Sequence, residues 1–257
     1  MAETARYLYA VARDLPDTVT HGAVGVADAP VEALPHRGLV VLVSTVSLEE
    51  FGEDPLREHL EDMQWLERTA RAHDDVVRLA ADHGATAPLR MLTICRDDGA
   101  VRERLDEMYE QLTAALARVE GRREWSVKLI LPPQPARMAA ATAPVGGGTP
   151  GGAAYLRAKK EAAQARRNSE EAAARTAQHV YEALGQVAVA SRRLPPQDPR
   201  LTGIPGAMTL NAAYLVEEAD SERFTATVAQ LAQEHPEVEA RVDGPWPAYS
   251  FAMAEEP

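Results

Sequence analysis

The sequence predicts an α+β chain of two domains: an N-terminal ferredoxin-like domain over residues 1–131, and a C-terminal α+β domain over 153–257 with a long Ala/Arg-rich helix. Three observations lead there. Through the first half, segments that alternate every two residues take turns with segments of helical apolar spacing. Residues 132–152 are rich in Pro, Gly and Ala and lose all periodicity, as a flexible linker or loop does. Residues 153–194 are dominated by Ala, Arg, Glu, Gln and Lys, strong helix formers with few large apolar side chains.

In chain order, Tyr7 to Val11 alternates as a strand, and Leu39 to Val46 is apolar on both faces, as a central strand is. Between them, His21 to Arg37 reads as short extended pieces punctuated by Gly22, Gly25, Pro30 and Pro35. Asp54-Pro55 then offers an N-cap and a first-turn proline to one long helix, striped by Leu56, Leu60, Met63, Leu66, Ala70, His73, Val77 and Ala80 and stopped by Gly84. Pro88 to Ile94 suits another strand. Asp97-Asp98 caps a second helix striped by Val101, Leu105, Met108, Leu112, Leu116 and Val119, ended by Gly121. Trp125 to Leu131 alternates again before Pro132-Pro133. After the long helix, Met208 to Val216 reads as a strand, Asp220 to Glu234 as a helix with Phe224, Val228 and Leu231 inward, and Val238 to Val242 as a last strand before an aromatic tail, Gly244 to Phe251.

The 257 residues carry 39 acidic and 27 basic side chains, a formal net charge of −12, which argues against nucleic acid and anionic membranes as partners. The charge is unevenly placed. Residues 153–200 hold nine basic and five acidic groups, net +4, against −16 over the rest. Arg157, Lys160, Arg166, Arg167 and Arg175 therefore form a candidate basic contact helix. A lone Cys95 cannot form an internal disulfide, no apolar run approaches membrane-spanning length, and the first residues lack a signal-peptide core; a cytoplasmic protein is expected.

Catalytic signatures fail one by one. Gly146 to Gly151 fits G-x-G-x-x-G, but Pro132 to Val145 separates it from any strand and Pro150 sits inside it; the Walker pattern lacks its Lys and hydroxyl. No two of the seven histidines have zinc-helix spacing, and His73-Asp74, though reminiscent of a metal-dependent dyad, lies on an apolar helical stripe where a core histidine is expected. Cys95 reads as a small buried residue ending a strand. The acidic run Glu49, Glu50, Glu53, Asp54, Glu58, Glu61 and Asp62 reads as a solvated helix start. A non-enzymatic protein without metal or cofactor is expected.

Several ordered segments resemble the gas vesicle GvpF/GvpL family. They are Tyr7-Leu8-Tyr9, His73-Asp74-Asp75-Val76-Val77, Pro88-Leu89-Arg90-Met91-Leu92-Thr93-Ile94, Glu124-Trp125-Ser126-Val127-Lys128, Ala154-Tyr155-Leu156-Arg157-Ala158-Lys159, Asn211-Ala212-Ala213-Tyr214-Leu215-Val216 and Gly244-Pro245-Trp246-Pro247-Ala248-Tyr249-Ser250-Phe251. The departures, Asp74 for Glu, Met91 for Phe and Ala248 for Pro, are conservative for packing. The resemblance implies a two-domain accessory protein for gas vesicle assembly. It implies action in nucleation or growth, and contact with the small hydrophobic shell protein GvpA, with other accessory proteins, or with copies of itself. The family-motif positions it marks as structural or interacting are His73, Arg90, Glu124, Trp125, Lys128, Tyr155, Lys159, Asn211, Tyr214, Trp246, Pro247 and Tyr249. On an alternating strand Trp125 is a core anchor, Lys128 can pair with Glu124 or a neighbouring carboxylate, and the prolines around Trp246 favour a tail laid in a groove. A second function class remains open from the element order alone, a ferredoxin-like ligand-sensing regulatory protein.

Overall fold

The computed structural model describes residues 3–132, 152–197 and 205–252, and within these the side chains of 17, 152–155 and 158 lie outside the description. The expected linker therefore falls, from 133 to 151, outside the described residues. The chain forms two compact units, Met1–Glu124 with Pro245–Pro257, and Trp125–Gly244. The sequence puts the boundary at 132–152 and groups the tail with the second half. In the structure the tail belongs to the first unit, because its aromatic side chains find their partners there.

The first unit holds β1 (Thr4–Ala12), β2 (Glu32–His36), β3 (Leu39–Ser47) and β4 (Thr86–Cys95) in the order β2-β3-β1-β4, with every adjacent pair antiparallel. β2 and β3 form a hairpin whose two turn residues, Arg37 and Gly38, both take positive φ, the geometry that matches strand twist. The crossover from β1 to β2 carries two 3₁₀ turns, Asp17–Thr20 and Val26–Asp28, where a ferredoxin-like order has a helix. β1 is central and buried on both faces: Tyr7, Leu8, Tyr9, Ala10 and Val11 are essentially inaccessible. The Tyr9 hydroxyl accepts from the Val26 N–H at 2.9 Å and donates to Ser44 Oγ at 2.8 Å, which satisfies a polar group buried in the core. Gly25 is required beside it, since a Cβ there would lie 2.0 Å from the Tyr9 oxygen.

The single helix expected from Asp54 to Gly84 is two, α2 (Glu53–His59) and α3 (Met63–Ala81), and a four-residue α1 (Leu48–Phe51) precedes them. Asp54 and Pro55 sit inside the first turn of α2, which Gly52 precedes. The restart comes from Asp62, whose carboxylate accepts from Gln64 and Trp65 N–H groups and caps α3. Restarting resets the helical phase. Trp65, Thr69, His73, Val76, Val77 and Ala80 face the core, whereas Leu60 and Met63, expected on the stripe, are exposed. The next helix also divides, at Met108, into α4 (Asp98–Glu107), capped by Asp97, and α5 (Tyr109–Val119). Its stripe of Val101, Leu105, Leu112, Leu116 and Val119 is buried as expected, and Gly121 ends it with positive φ.

The chain passes to the second unit within β5 (Arg122–Leu131). There α6 (Gly152–Gly185) precedes β6 (Ala190–Arg193), β7 (Ala207–Glu217), α7 (Ser221–Glu234) and β8 (Glu239–Trp246), and the sheet order is β6-β7-β5-β8. The sequence reading extends the long helix over the residues of β6. Ala-rich composition favours helix locally, but Ala190–Arg193 gains an antiparallel ladder against Ala212–Leu215. The core joins Trp125, Val127 and Leu129 of β5 to Ala173, Ala177, Val180 and Leu184 of α6 and to Phe224, Val228 and Leu231 of α7. A last short helix, α8 (Tyr249–Ala252), returns to the first unit.

Candidate functional site

His73 is 3% exposed and faces Tyr7 and Tyr9 in the core of the first unit. Its Nδ1 lies 3.0 Å from the Tyr7 hydroxyl, and that hydroxyl also accepts from the Leu92 N–H at 3.1 Å. The Tyr7 hydroxyl carries one proton and a second lone pair, so it pairs with Nδ1 in either tautomer of the imidazole. Burial pulls the imidazole pKa down to about 4 against the opposing pull of the Leu89 backbone and Asp74. A histidine so enclosed is a core residue. Leu92 takes a positive φ where β4 bulges opposite Tyr9, so the tyrosine–histidine pair also anchors an irregular edge strand. Arg90, on the bulge, is exposed.

The same helix face receives the tail. Tyr249 Oη donates to Asp74 Oδ1 at 3.0 Å, Arg78 Nε donates to Asp74 Oδ2 at 2.5 Å, and the Arg78 guanidinium lies 4.1 Å over the Trp246 ring. Burial and the adjacent Asp74 raise the Tyr249 pKa, so it stays a donor. Pro247 and Ala248 are buried and Trp246 is half-buried. Glu124, 8% exposed, accepts from the Ser250 N–H at 2.7 Å and from its hydroxyl at 2.6 Å. Burial raises its pKa, with the two serine bonds pulling the other way.

In the second unit Trp125 is buried beside Phe224, with ring centroids 6.0 Å apart, and Tyr214 lies 5.3 Å from the same phenylalanine. Burial raises the Tyr214 pKa. Asn211 Nδ2 donates to the Pro195 carbonyl at 2.7 Å and fixes the chain after β6. Lys128 pairs with Asp243 at 3.7 Å, a neighbouring carboxylate on β8 and not Glu124. A void lined by Val127, Leu129, Val180, Leu231 and Val238 is apolar and about the size of one water, too small for a metabolite.

α6 divides into two unlike halves. From Ala173 onward it buries a stripe, Ala173, Thr176, Ala177, Val180 and Leu184. From Leu156 to Asn168 every described side chain is exposed, over about 20 Å of helix. Arg157, Lys159, Lys160, Arg166 and Arg167 lie on this arm with one acidic residue, Glu161, and with an exposed Leu156. Arg166 pairs with Glu170 one turn on, while Arg157, Lys159, Lys160 and Arg167 have no ion pair among the described residues. Arg175 is exposed further along; Tyr155 lies on the helix with its side chain outside the described residues.

A contrasting segment lies in the first unit, where Glu53, Asp54, Glu58, Glu61 and Asp62 are exposed with the protruding Leu60 and Met63, and where Arg57 pairs with Glu53 and Asp54. The sequence reading has these acids solvated, as they are, but sets Leu60 and Met63 on the buried stripe, which the break before α3 turns outward. Cys95 is buried at the end of β4, and burial raises its thiol pKa. Among the described residues no helix is long and apolar enough to cross a membrane.

The comparisons with known proteins agree along nearly the whole chain. The family described as gas vesicle synthesis protein GvpL/GvpF matches residues 5–253. Gas vesicle protein L of Streptomyces sp. (strain CB03234) is 37% identical over 252 residues, covering 98% of this chain and 94% of its own. Gas vesicle protein F of the same strain is 28% identical, covering 95% and 98%. The crystal structure of GvpF from Anabaena sp. PCC7120 superposes with a TM-score of 0.70 at 20% identity and 98% coverage of both chains; that of GvpF from Microcystis aeruginosa gives 0.66 at 19%, covering 97% of this chain and 99% of its own. The two crystal structures share the fold, and the sequence matches extend from β1 to the closing helix: this chain belongs to the GvpL/GvpF family of gas vesicle synthesis proteins and has an accessory role in gas vesicle assembly.

Proposed function

We propose that this protein is an L-type assembly factor that works in nucleation or growth of the vesicle by binding the shell protein GvpA and sibling accessory proteins. The observation that carries the reading is the α6 arm. Leu156–Asn168 is helical yet buries none of its described side chains, and it bears five basic residues against one acidic in a chain of net charge −12. A helix gains most of its stability in proteins from packing, so an uncovered and charged stretch is a surface suited to docking. The acidic segment with Leu60 and Met63 supplies a second surface of opposite sign, which suits either a basic accessory partner or a second copy. The L-type assignment rests on the higher identity to the L relative.

The first unit fits a ferredoxin-like variant, since its strand order and antiparallel pairing match that sheet while 3₁₀ turns replace one crossover helix. The protein would act from the cytoplasm at the growing vesicle. Co-purification with GvpA and the other vesicle proteins from vesicle-forming cells is the direct test. Association that survives washing supports the proposal; absence of association, together with normal vesicles in a deletion strain, overturns it.

A further inference from the structure

We propose that His179, Glu234 and His235 form a binding site for one divalent transition-metal ion, zinc by their chemistry, at the inner half of α6. One ligand atom from each of the three residues lies within 4.8 Å of the others. Two imidazoles and a carboxylate are the mixed nitrogen and oxygen set that zinc takes, leaving a fourth position for water. A tetrahedral ion with bonds of about 2.0–2.1 Å holds its ligand atoms roughly 3.3 Å apart, so the cluster must contract by about 1.5 Å. That movement is available, because His179 and Glu234 are exposed side chains and Glu234 closes its helix.

Two further features favour a cation at this place. Glu234 and His235 lie at the C-terminal end of α7, where unpaired carbonyls concentrate partial negative charge. The His235 ring is also held from behind. Its Nδ1 lies 3.3 Å from Glu237 Oε1, and Thr176 Oγ1 donates to that same oxygen at 2.7 Å. Thr176, the Glu237 carboxylate and the His235 imidazole thus form a relay of the kind that orients histidine ligands in zinc sites. Glu237 is a positioning residue and His179 the ligand brought by the other helix, three positions after Thr176 on α6. The two imidazole rings already stand edge to face, with centroids 5.4 Å apart. Bound metal would join α6 to the end of α7 and so fix the base from which the basic arm extends.

The test is a zinc titration of the full chain, free of any affinity tag, in a buffer that does not chelate metal. One equivalent should bind, with affinity lowered at least tenfold by His179→Ala and by His235→Ala and unchanged by His21→Ala, an exposed histidine remote in sequence. Glu237→Gln should keep the stoichiometry and lose about tenfold or more in affinity, as partners behind a metal ligand do. Cobalt in place of zinc should give a visible absorption band that His235→Ala abolishes. Zinc should raise the melting temperature of the native chain and leave that of His179→Ala unmoved. His179 is exposed, so its variant keeps the experiment decisive if His235→Ala disturbs folding. Absence of saturable binding, or equal affinity in the native chain and both histidine variants, overturns the proposal.

Discussion

The Glu124 carboxylate grips Ser250 twice, through the backbone N–H at 2.7 Å and the hydroxyl at 2.6 Å, in a place where the carboxylate is almost wholly enclosed. Residues 126 positions apart are thereby joined, and the closing segment becomes part of the first unit. Hydrogen bonds to a charged acceptor contribute about 1.5–3 kcal/mol. Glu124→Gln replaces one of the two accepting oxygens with an NH2 donor, and should lower stability in urea by roughly 2 kcal/mol. Limited proteolysis should then cut near residue 250 sooner than in the native chain. Because burial raises the Glu124 pKa, its ionisation opposes folding as pH rises through its folded value, and the variant should lose that component of the pH profile.

His73 contributes the opposite trend. Its pKa falls from 6.5 to about 4 in the fold, so above 6.5 the folded and unfolded chains are both neutral there and nothing is lost. As pH falls from 6.5 toward 4 the unfolded chain takes up a proton that the folded chain refuses. Stability should decline by at most about 1.4 kcal/mol per pH unit from this group. His73→Asn keeps a polar side chain beside Tyr7 and cannot titrate. The variant should be less stable at neutral pH, through lost ring volume, yet show a shallower decline in urea midpoint between pH 6.5 and 4. Parallel profiles for the two proteins would remove His73 as the cause.

Tyr249 and Trp246 hold the tail from the other side, by way of Asp74 and Arg78. Tyr249→Phe deletes one donor to a carboxylate that Arg78 still serves, and should cost about 1 kcal/mol. Trp246→Ala removes both the cation–π contact and the ring's half-burial, and should cost about 2 kcal/mol. The residues share one network, so the double variant should cost less than the sum. Thermal melts of the native chain, the two single variants and the double variant measure this directly.

What the sequence revealed, and what it hid, follows from how far each signal reaches. Alternation and helical spacing place the strands and the buried faces of α5 and α7 because those patterns are local; Phe224, Val228 and Leu231 point inward as their spacing requires. Phase is lost wherever a cap restarts a helix, and Asp62 therefore turns Leu60 and Met63 from expected core into surface. Composition misleads at Ala190–Arg193, where pairing with β7 overrides an alanine-rich preference for helix. Among the site residues, the core roles of His73 and Trp125 can be read from their positions on apolar faces. The partners cannot be. Ser250 for Glu124, Asp243 for Lys128, and His235 for His179 are brought together only by the tertiary fold.

The α6 arm gives the last prediction, since Arg157, Lys159, Lys160 and Arg167 have no ion pair among the described residues. Glu substitutions at Arg157, Lys159, Lys160 and Arg167 leave the described ion pairs of α6 intact, and all four positions are exposed helix sites where Glu is a good helix former. Far-ultraviolet circular dichroism and melting temperature should therefore stay close to native. If the arm docks on acidic protein surface, affinity for the vesicle proteins should fall on the order of tenfold at low salt, with a smaller difference at high salt where screening already weakens the native complex. Changing the four residues to Ala instead should give an intermediate loss, because removal of attraction costs less than its reversal. Sedimentation of the purified variants would separate the partner: a loss seen only with other vesicle proteins marks a heterologous surface, whereas a shift toward monomer marks contact between copies. Equal binding by the native and reversed arms at every salt concentration would leave α6 as a scaffold whose function lies in its buried half.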